Sequence, residues 1–177
     1  MKVMEKNNNK IAFQTEIDIS LANALRRSVM EIPVLAIDEV EIYKNDSALY
    51  DEVIAHRIGL VPLKMDKTMN EKTEFELKLV KTGPGFVYSG ELKGKEEVVY
   101  DNMPITLLED GKEIELVAFA KIGQGIKHTK FTPGIANYTE ENGEIQFSIE
   151  SFGQMSAEKI LEEAAEVIKK NLSELKQ

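Results

Sequence analysis

This 177-residue sequence contains no cysteine, and its first candidates for chemistry are histidine, arginine, lysine and carboxylate side chains. Disulfides, thiolate metal sites and cysteine nucleophiles are thereby excluded, and a reducing cytoplasm suits the composition. The two histidines, His56 and His128, stand 72 positions apart. Neither has a second ligand at a spacing such as HExxH, which sets two imidazoles on one face of a helix. Gly123-Gln124-Gly125 opens like a nucleotide loop, but His128 occupies the place of the third glycine and no lysine–hydroxyl pair follows. It reads as a turn. Carboxylates number 31, yet no Asp-rich cluster of the kind that holds two metal ions for phosphoryl transfer is present. Binding chemistry remains. Arg26 and Arg27 can grip carboxylates or carbonyl groups of a partner by paired hydrogen bonds; read alone, they also fit a solvated helix face. His56 beside Arg57 reads as structural or as a partner contact. Lys127, His128 and Lys130 form a small basic patch with Phe131, suited to a docking loop or to nucleic acid.

These groups must be positioned by the elements around them. Ile11, Phe13, Thr15, Ile17 and Ile19 alternate with Ala12, Gln14, Glu16 and Asp18, which predicts a half-buried strand over Ile11–Ile19. Ser20 then stands as a helix N-cap with Asp18 near the positive end of the dipole. Leu21, Ala24, Leu25, Ser28 and Val29 recur at helical spacing until Pro33, and Arg26 and Arg27 fall off that stripe. Val34–Tyr43 reads as a second strand with Val34, Ala36, Val40 and Ile42 on one face. Asp51–Ile58 reads as a two-turn helix ended by Gly59 and Pro62. The polar run KMDKTMNEKT, residues 64–73, is a candidate domain boundary.

Beyond it the pattern becomes β-rich. Phe75, Leu77 and Leu79, then Ile114 and Leu116, then Ile145, Phe147 and Ile149 alternate with polar residues, and glycines punctuate the runs. Ser156 caps a last helix, residues 156–176, in which Leu161, Ala165, Ile168, Leu172 and Leu175 recur at spacings of 4, 3, 4 and 3. That heptad seam, widened by Ile160, Ala164 and Val167, runs along a helix of roughly 30 Å. The predicted fold class is α+β: a discontinuous strand/helix domain of residues 1–65 and 152–177, interrupted by a β-rich insert domain of residues 66–151.

Composition limits the partners. With 22 basic against 31 acidic side chains the net charge is −9, so the surface repels phosphate and the chain alone should not grip nucleic acid through a broad electrostatic footprint. No apolar run is long enough to cross a membrane, and MKVMEKNNNK at the N-terminus lacks the apolar stretch of a secretory signal. Cytoplasmic localisation is expected.

Three stretches carry a resemblance. LANALRR at 21–27 leads through IPVLAI at 32–37 into VEI at 40–42; DEVIAHRIGLVPL spans 51–63; GIKHTKFTP spans 125–133 and is followed by Tyr138. Together they resemble the D-type assembly subunits of archaeal DNA-directed RNA polymerase, with their relatives the third subunit of eukaryotic RNA polymerase II and the N-terminal domain of the bacterial α subunit. The third stretch resembles the insert-domain signature of the archaeal and eukaryotic branch. The resemblance implies a non-catalytic assembly subunit within a nucleotidyltransferase complex. Its first helix (Leu21, Leu25) and last helix (Leu161, Ala165, Ile168, Leu172, Leu175) would form a dimerisation domain that pairs with a smaller L-type subunit. It also implies that Arg26 and Arg27 face the large catalytic subunit. His56 and Arg57 would lie where the small zinc-binding subunits N and P gather. Many archaeal members carry an iron–sulfur cluster on an additional cysteine-bearing domain; with no cysteine, this chain resembles a clusterless member, and no cofactor is expected. A free-standing interaction module of the same fold and a hydrolase with an unrecognised site are the alternative functions. Stoichiometric recovery with a polymerase core, or activity of the isolated chain, separates them.

Overall fold

The structure, a computed structural model, describes residues 2–65 and 74–175. In chain order its elements are β1 (Lys2–Lys6), β2 (Lys10–Thr15), α1 (Ile19–Ser28), β3 (Val34–Asn45), α2 (Asp51–Gly59) and β4 (Phe75–Thr82). They continue with β5 (Gly85–Tyr88), β6 (Lys93–Gly94), β7 (Pro104–Leu108), β8 (Glu113–Gly123), β9 (Gly134–Glu141), β10 (Glu144–Ser151) and α3 (Ala157–Glu174). The class is α+β, as the alternation of strand and helix periods predicts. Two compact units divide the chain: Met1–Val34 with Gln124–Gln177, and Leu35–Gly123.

The first unit is a four-stranded sheet in the order β1-β2-β10-β9, antiparallel throughout. Its buried row follows from the period-2 pattern of two strands. Phe13 lies opposite Phe147 and Ile11 opposite Ile149, with the two phenyl rings stacked at 5.6 Å and Tyr138 stacked on Phe147 at 6.4 Å. Ala22, Val29, Ala157, Ile160 and Ala164 join the same core. The three alanines let the helices approach the sheet closely, where area removed from water stabilises at about 25 cal/mol per Å². Asn142 and Gly143 adopt φ of 55° and 81°, the left-handed pair that a two-residue hairpin turn needs between β9 and β10.

Residues read from the sequence as strand and cap shift here. Ile19 is the first residue of α1, and its N-cap is Asp18 instead of Ser20. The Asp18 carboxylate accepts the Ser20 backbone N–H at 2.7 Å and the Ser20 hydroxyl at 2.5 Å, so the expected capping hydroxyl is itself a donor to the actual cap. These two bonds, hydroxyl first, hold the Asp18 carboxyl below its ordinary value. A 3-10 turn, Val29–Glu31, ends the helix, and Ile32 is extended, as a residue before proline prefers.

In the second unit β3, β8, β4 and β6 form one sheet in that order and β5 pairs with β7. Phe75, Leu77 and Leu79 point inward on β4 while Glu76, Lys78 and Val80 point out, the expected alternation. Ile54 and Ile58 of α2 pack into the same core as Leu77, Leu79, Leu116 and Ala118. Lys44 meets Glu113 at 2.8 Å and Lys121 meets Asp38, so opposite ends of β3 and β8 are adjacent and the two strands run antiparallel.

The discontinuous layout has other limits than 1–65/152–177 and 66–151. The second unit takes in β3 and α2, and the first takes in β9 and β10. The reason is long-range pairing: Ile145–Glu150 of β10 pair with the whole of β2, although the local pattern of β10 matches β4 and β8. GIKHTKFTP and Tyr138 therefore belong to the first unit and not to the insert. Of the polar run proposed as a boundary, residues 66–73 lie outside the described residues.

Candidate partner-binding surface

α3 carries two apolar stripes. Ala157, Ile160 and Ala164 are fully buried in the first unit's core, with Leu161 and Val167 packed against them. The expected seam lies beside this row: Leu161, Ala165 and Ile168 are half-buried, Leu172 is 56% exposed and Leu175 83%. Ile160, Ala164 and Val167, read as widening the seam, are instead the helix's internal contact. Ser156 caps the helix, accepting the Lys159 N–H at 3.3 Å. The polar side is tied by Lys159–Glu163 at 2.7 Å and Lys169–Glu166 at 2.5 Å, exposed pairs worth little individually. At its far end Asn171 donates to the Glu31 carboxylate at 3.0 Å.

α1 packs against α3 and divides its own residues in the same way. Ala22 and Ser28 are buried and Leu25 is half-buried against the core, while Leu21 is 48% exposed. Arg26 donates to the Asn23 side chain at 2.9 Å. Arg27 is exposed and has no partner among the described residues. Leu21, Leu25, Arg26 and Arg27 thus share a unit with Leu161, Ala165, Ile168, Leu172 and Leu175. Their exposed apolar positions form the kind of surface that associates with another chain. His56 and Arg57 belong to the second unit. Both are exposed, and Arg57 donates to the Pro104 carbonyl at 3.0 Å.

Sequence reasoning missed three exposed apolar residues around this surface: Ile19, Met30 and Ile126. Ile19 was hidden by its apparent place in a strand. Met30 and Ile126 sit in short irregular segments where no periodicity exists to read. Among the described residues no three acidic or histidine side chains gather as a metal site, and no helix is long and apolar enough to cross a membrane.

A sheet backed by helices whose outer stripes remain uncovered defines a pairing domain. Comparison with known proteins agrees: residues 13–172 match the RNA polymerase Rpb3/Rpb11 dimerisation domain. The chain belongs to this family of polymerase assembly subunits. It is similar to DNA-directed RNA polymerase subunit Rpo3 of Methanocaldococcus jannaschii, 40% identical over 94% of this chain and 91% of that protein. It is also similar to the Rpo3 proteins of Pyrococcus furiosus, at 40% identity, and Pyrococcus horikoshii, at 41%. There the alignment covers 78% of this chain but 58% of each relative, so the chain spans less than two thirds of the Pyrococcus proteins.

Proposed function

We propose that this chain is the D-type assembly subunit of an archaeal RNA polymerase. It pairs through α1 and α3 with a smaller L-type subunit, and the pair docks the large catalytic subunit. The observation that carries this reading is the outer stripe of α3, apolar from Leu161 to Leu175: Leu161, Ala165 and Ile168 are half-buried and Leu172 and Leu175 exposed, beside the row Ala157, Ile160 and Ala164 that fills the chain's own core. Arg26 and Arg27 face the large subunit, and the His56–Arg57 end of α2 receives the small zinc-binding subunits N and P. The chain supplies no catalytic residue, contacts DNA only through the complex and works in the cytoplasm. It carries no iron–sulfur cluster, since such clusters are held chiefly by thiolates and the sequence has no cysteine. Iron in stoichiometric amount in the purified chain would contradict that.

The test is co-expression with an L-type subunit followed by size-exclusion chromatography. A stoichiometric pair that then recruits the large subunit is expected. Separate elution of the two folded chains would reject the reading, and so would enzymatic turnover by the isolated chain.

A further inference from the structure

The loop that follows β8 has no part in the helix seam, yet it is held firmly beside it. Gln124 Nε2 donates to the Glu31 carbonyl at 2.8 Å, and the Ile126 N–H donates to the Met30 carbonyl at 3.1 Å. Both bonds fasten the loop to the 3-10 turn that ends α1. Phe131 anchors its other end in the interior, and His128 Nδ1 accepts the Lys130 N–H at 3.2 Å. Gly125 is the seat: a Cβ there would lie 2.5 Å from Thr132 Oγ1 and 3.1 Å from the Met30 carbonyl, so a larger residue would lift the loop away. On this seat Ile126 stands 61% exposed, with Lys127 and His128 exposed beside it. Lys127 has no carboxylate in reach among the described residues, whereas Lys6, Lys10, Lys159 and Lys169 of the same unit each have one.

The same turn holds the free end of α3, because the Glu31 side chain accepts the Asn171 amide. Ile126, Met30 and Leu172 are thus exposed apolar residues each at, or next to, a residue hydrogen-bonded at this one turn. We propose that residues 126–130 are a second contact of the pairing surface. The small partner subunit meets them with an apolar side chain over Ile126 and carboxylates opposite Lys127 and His128. This inference rests on the pairing reading above. A protein occupant is favoured over nucleic acid by two observations. The loop's one phenyl ring is not free for stacking bases, since Phe131 is buried and Lys130 already lies over its ring at 5.2 Å. The chain's charge of −9 opposes phosphate, and two cationic positions do not offset it.

The test uses the full chain and a recombinant L-type subunit, with association and dissociation rates measured at low and physiological salt. Combined Lys127→Glu and His128→Glu should slow association about tenfold at low salt and flatten its salt dependence, as rim charges do. Ile126→Ser should speed dissociation about tenfold, with an unchanged melting curve because the side chain is exposed. Wild-type rates in both variants, while Ile168→Asp abolishes pairing, would overturn the loop contact and leave the pairing reading intact. Normal pairing by Ile168→Asp would instead overturn the pairing reading. Binding of a duplex DNA oligonucleotide by the wild-type chain, lost in the Lys127→Glu variant, would overturn the proposal in favour of nucleic acid.

Discussion

Replacing Ile168 by Asp tests whether the outer stripe of α3 is an interface. Full burial of an isoleucine is worth about 2–3 kcal/mol. Ile168 is half-buried in its own unit, so its removal costs the isolated chain about 1 kcal/mol, within the stability of an ordinary domain. The other half is contributed only on pairing, and Asp forfeits about 1 kcal/mol there. A carboxylate closed into that interface must also lose its water or take up a proton, at a cost of about 3 kcal/mol. The sum, about 4 kcal/mol, weakens pairing by roughly a thousandfold. Ala164→Asp is the matched control, since Ala164 is 0% exposed in the chain's own core and the penalty there falls on folding itself. Circular dichroism of each variant alone, beside size-exclusion chromatography with the L-type subunit, separates the two. Ile168→Asp should stay folded and fail to pair; Ala164→Asp should lose helical signal with or without partner. A folded Ile168→Asp chain that co-elutes at wild-type affinity refutes the interface, and one that unfolds alone shows the seam to be core.

Arg27→Ala should leave folding and pairing unchanged, because the side chain is exposed and without a partner among the described residues. It should weaken recruitment of the large subunit by about 2 kcal/mol if the guanidinium becomes a buried hot spot, and unchanged pull-down by the Arg26→Ala/Arg27→Ala double variant would reject that contact. Asp18 is held below its ordinary pKa by its capping bonds, so its contribution to stability is full above the unfolded carboxylate range. It is lost as pH falls through the lower folded value. Asp18→Asn, which keeps an acceptor, should flatten acid-side denaturation curves of the first unit, and identical acid limbs would refute the assignment. Replacing Leu35–Gly123 by a short Gly/Ser linker should leave the first unit folded. Glu31 and Gln124 on either side of the cut already touch at 2.8 Å, and loss of its circular dichroism signal even with partner present would show the second unit to be required.

Local periodicity made much of this chain legible. β4, β8, β10, α2 and α3 lie where alternation or heptad spacing puts them, because each has one buried face. β1 left no such trace: every residue from Lys2 to Lys6 is exposed, and only its pairing with β2 makes it a strand. Unit limits were misread for a related reason. Ile145, Phe147 and Ile149 alternate just as Phe75, Leu77 and Leu79 do, and nothing local says which sheet a strand joins. The Asn142-Gly143 dipeptide, a strong hairpin signal, was available and would have tied β9 to β10. On α3 the apolar width was readable, but not its division. A stripe that includes both Ala164 and Ile168 does not declare which side meets its own sheet.

The separation in sequence between β2 and β10 bears on how the molecule comes into being. Gln14 and Glu144, hydrogen-bonded side by side, are 130 positions apart, so the first sheet cannot close until nearly the whole chain has been synthesised. Leu35–Gly123, contiguous and earlier in the chain, can emerge from the ribosome and fold before β9 and β10 have emerged. Once it does, antiparallel β3 and β8 hold its two ends as neighbours, and the loop to be closed shrinks from over a hundred residues to a few tens at most. On a logarithmic closure cost this relieves about 1–2 kcal/mol of entropy. A folded second unit would thus serve as a clasp for the first sheet during synthesis. Weakening its core at Leu77 or Leu116 would delay the first sheet without touching a residue in it.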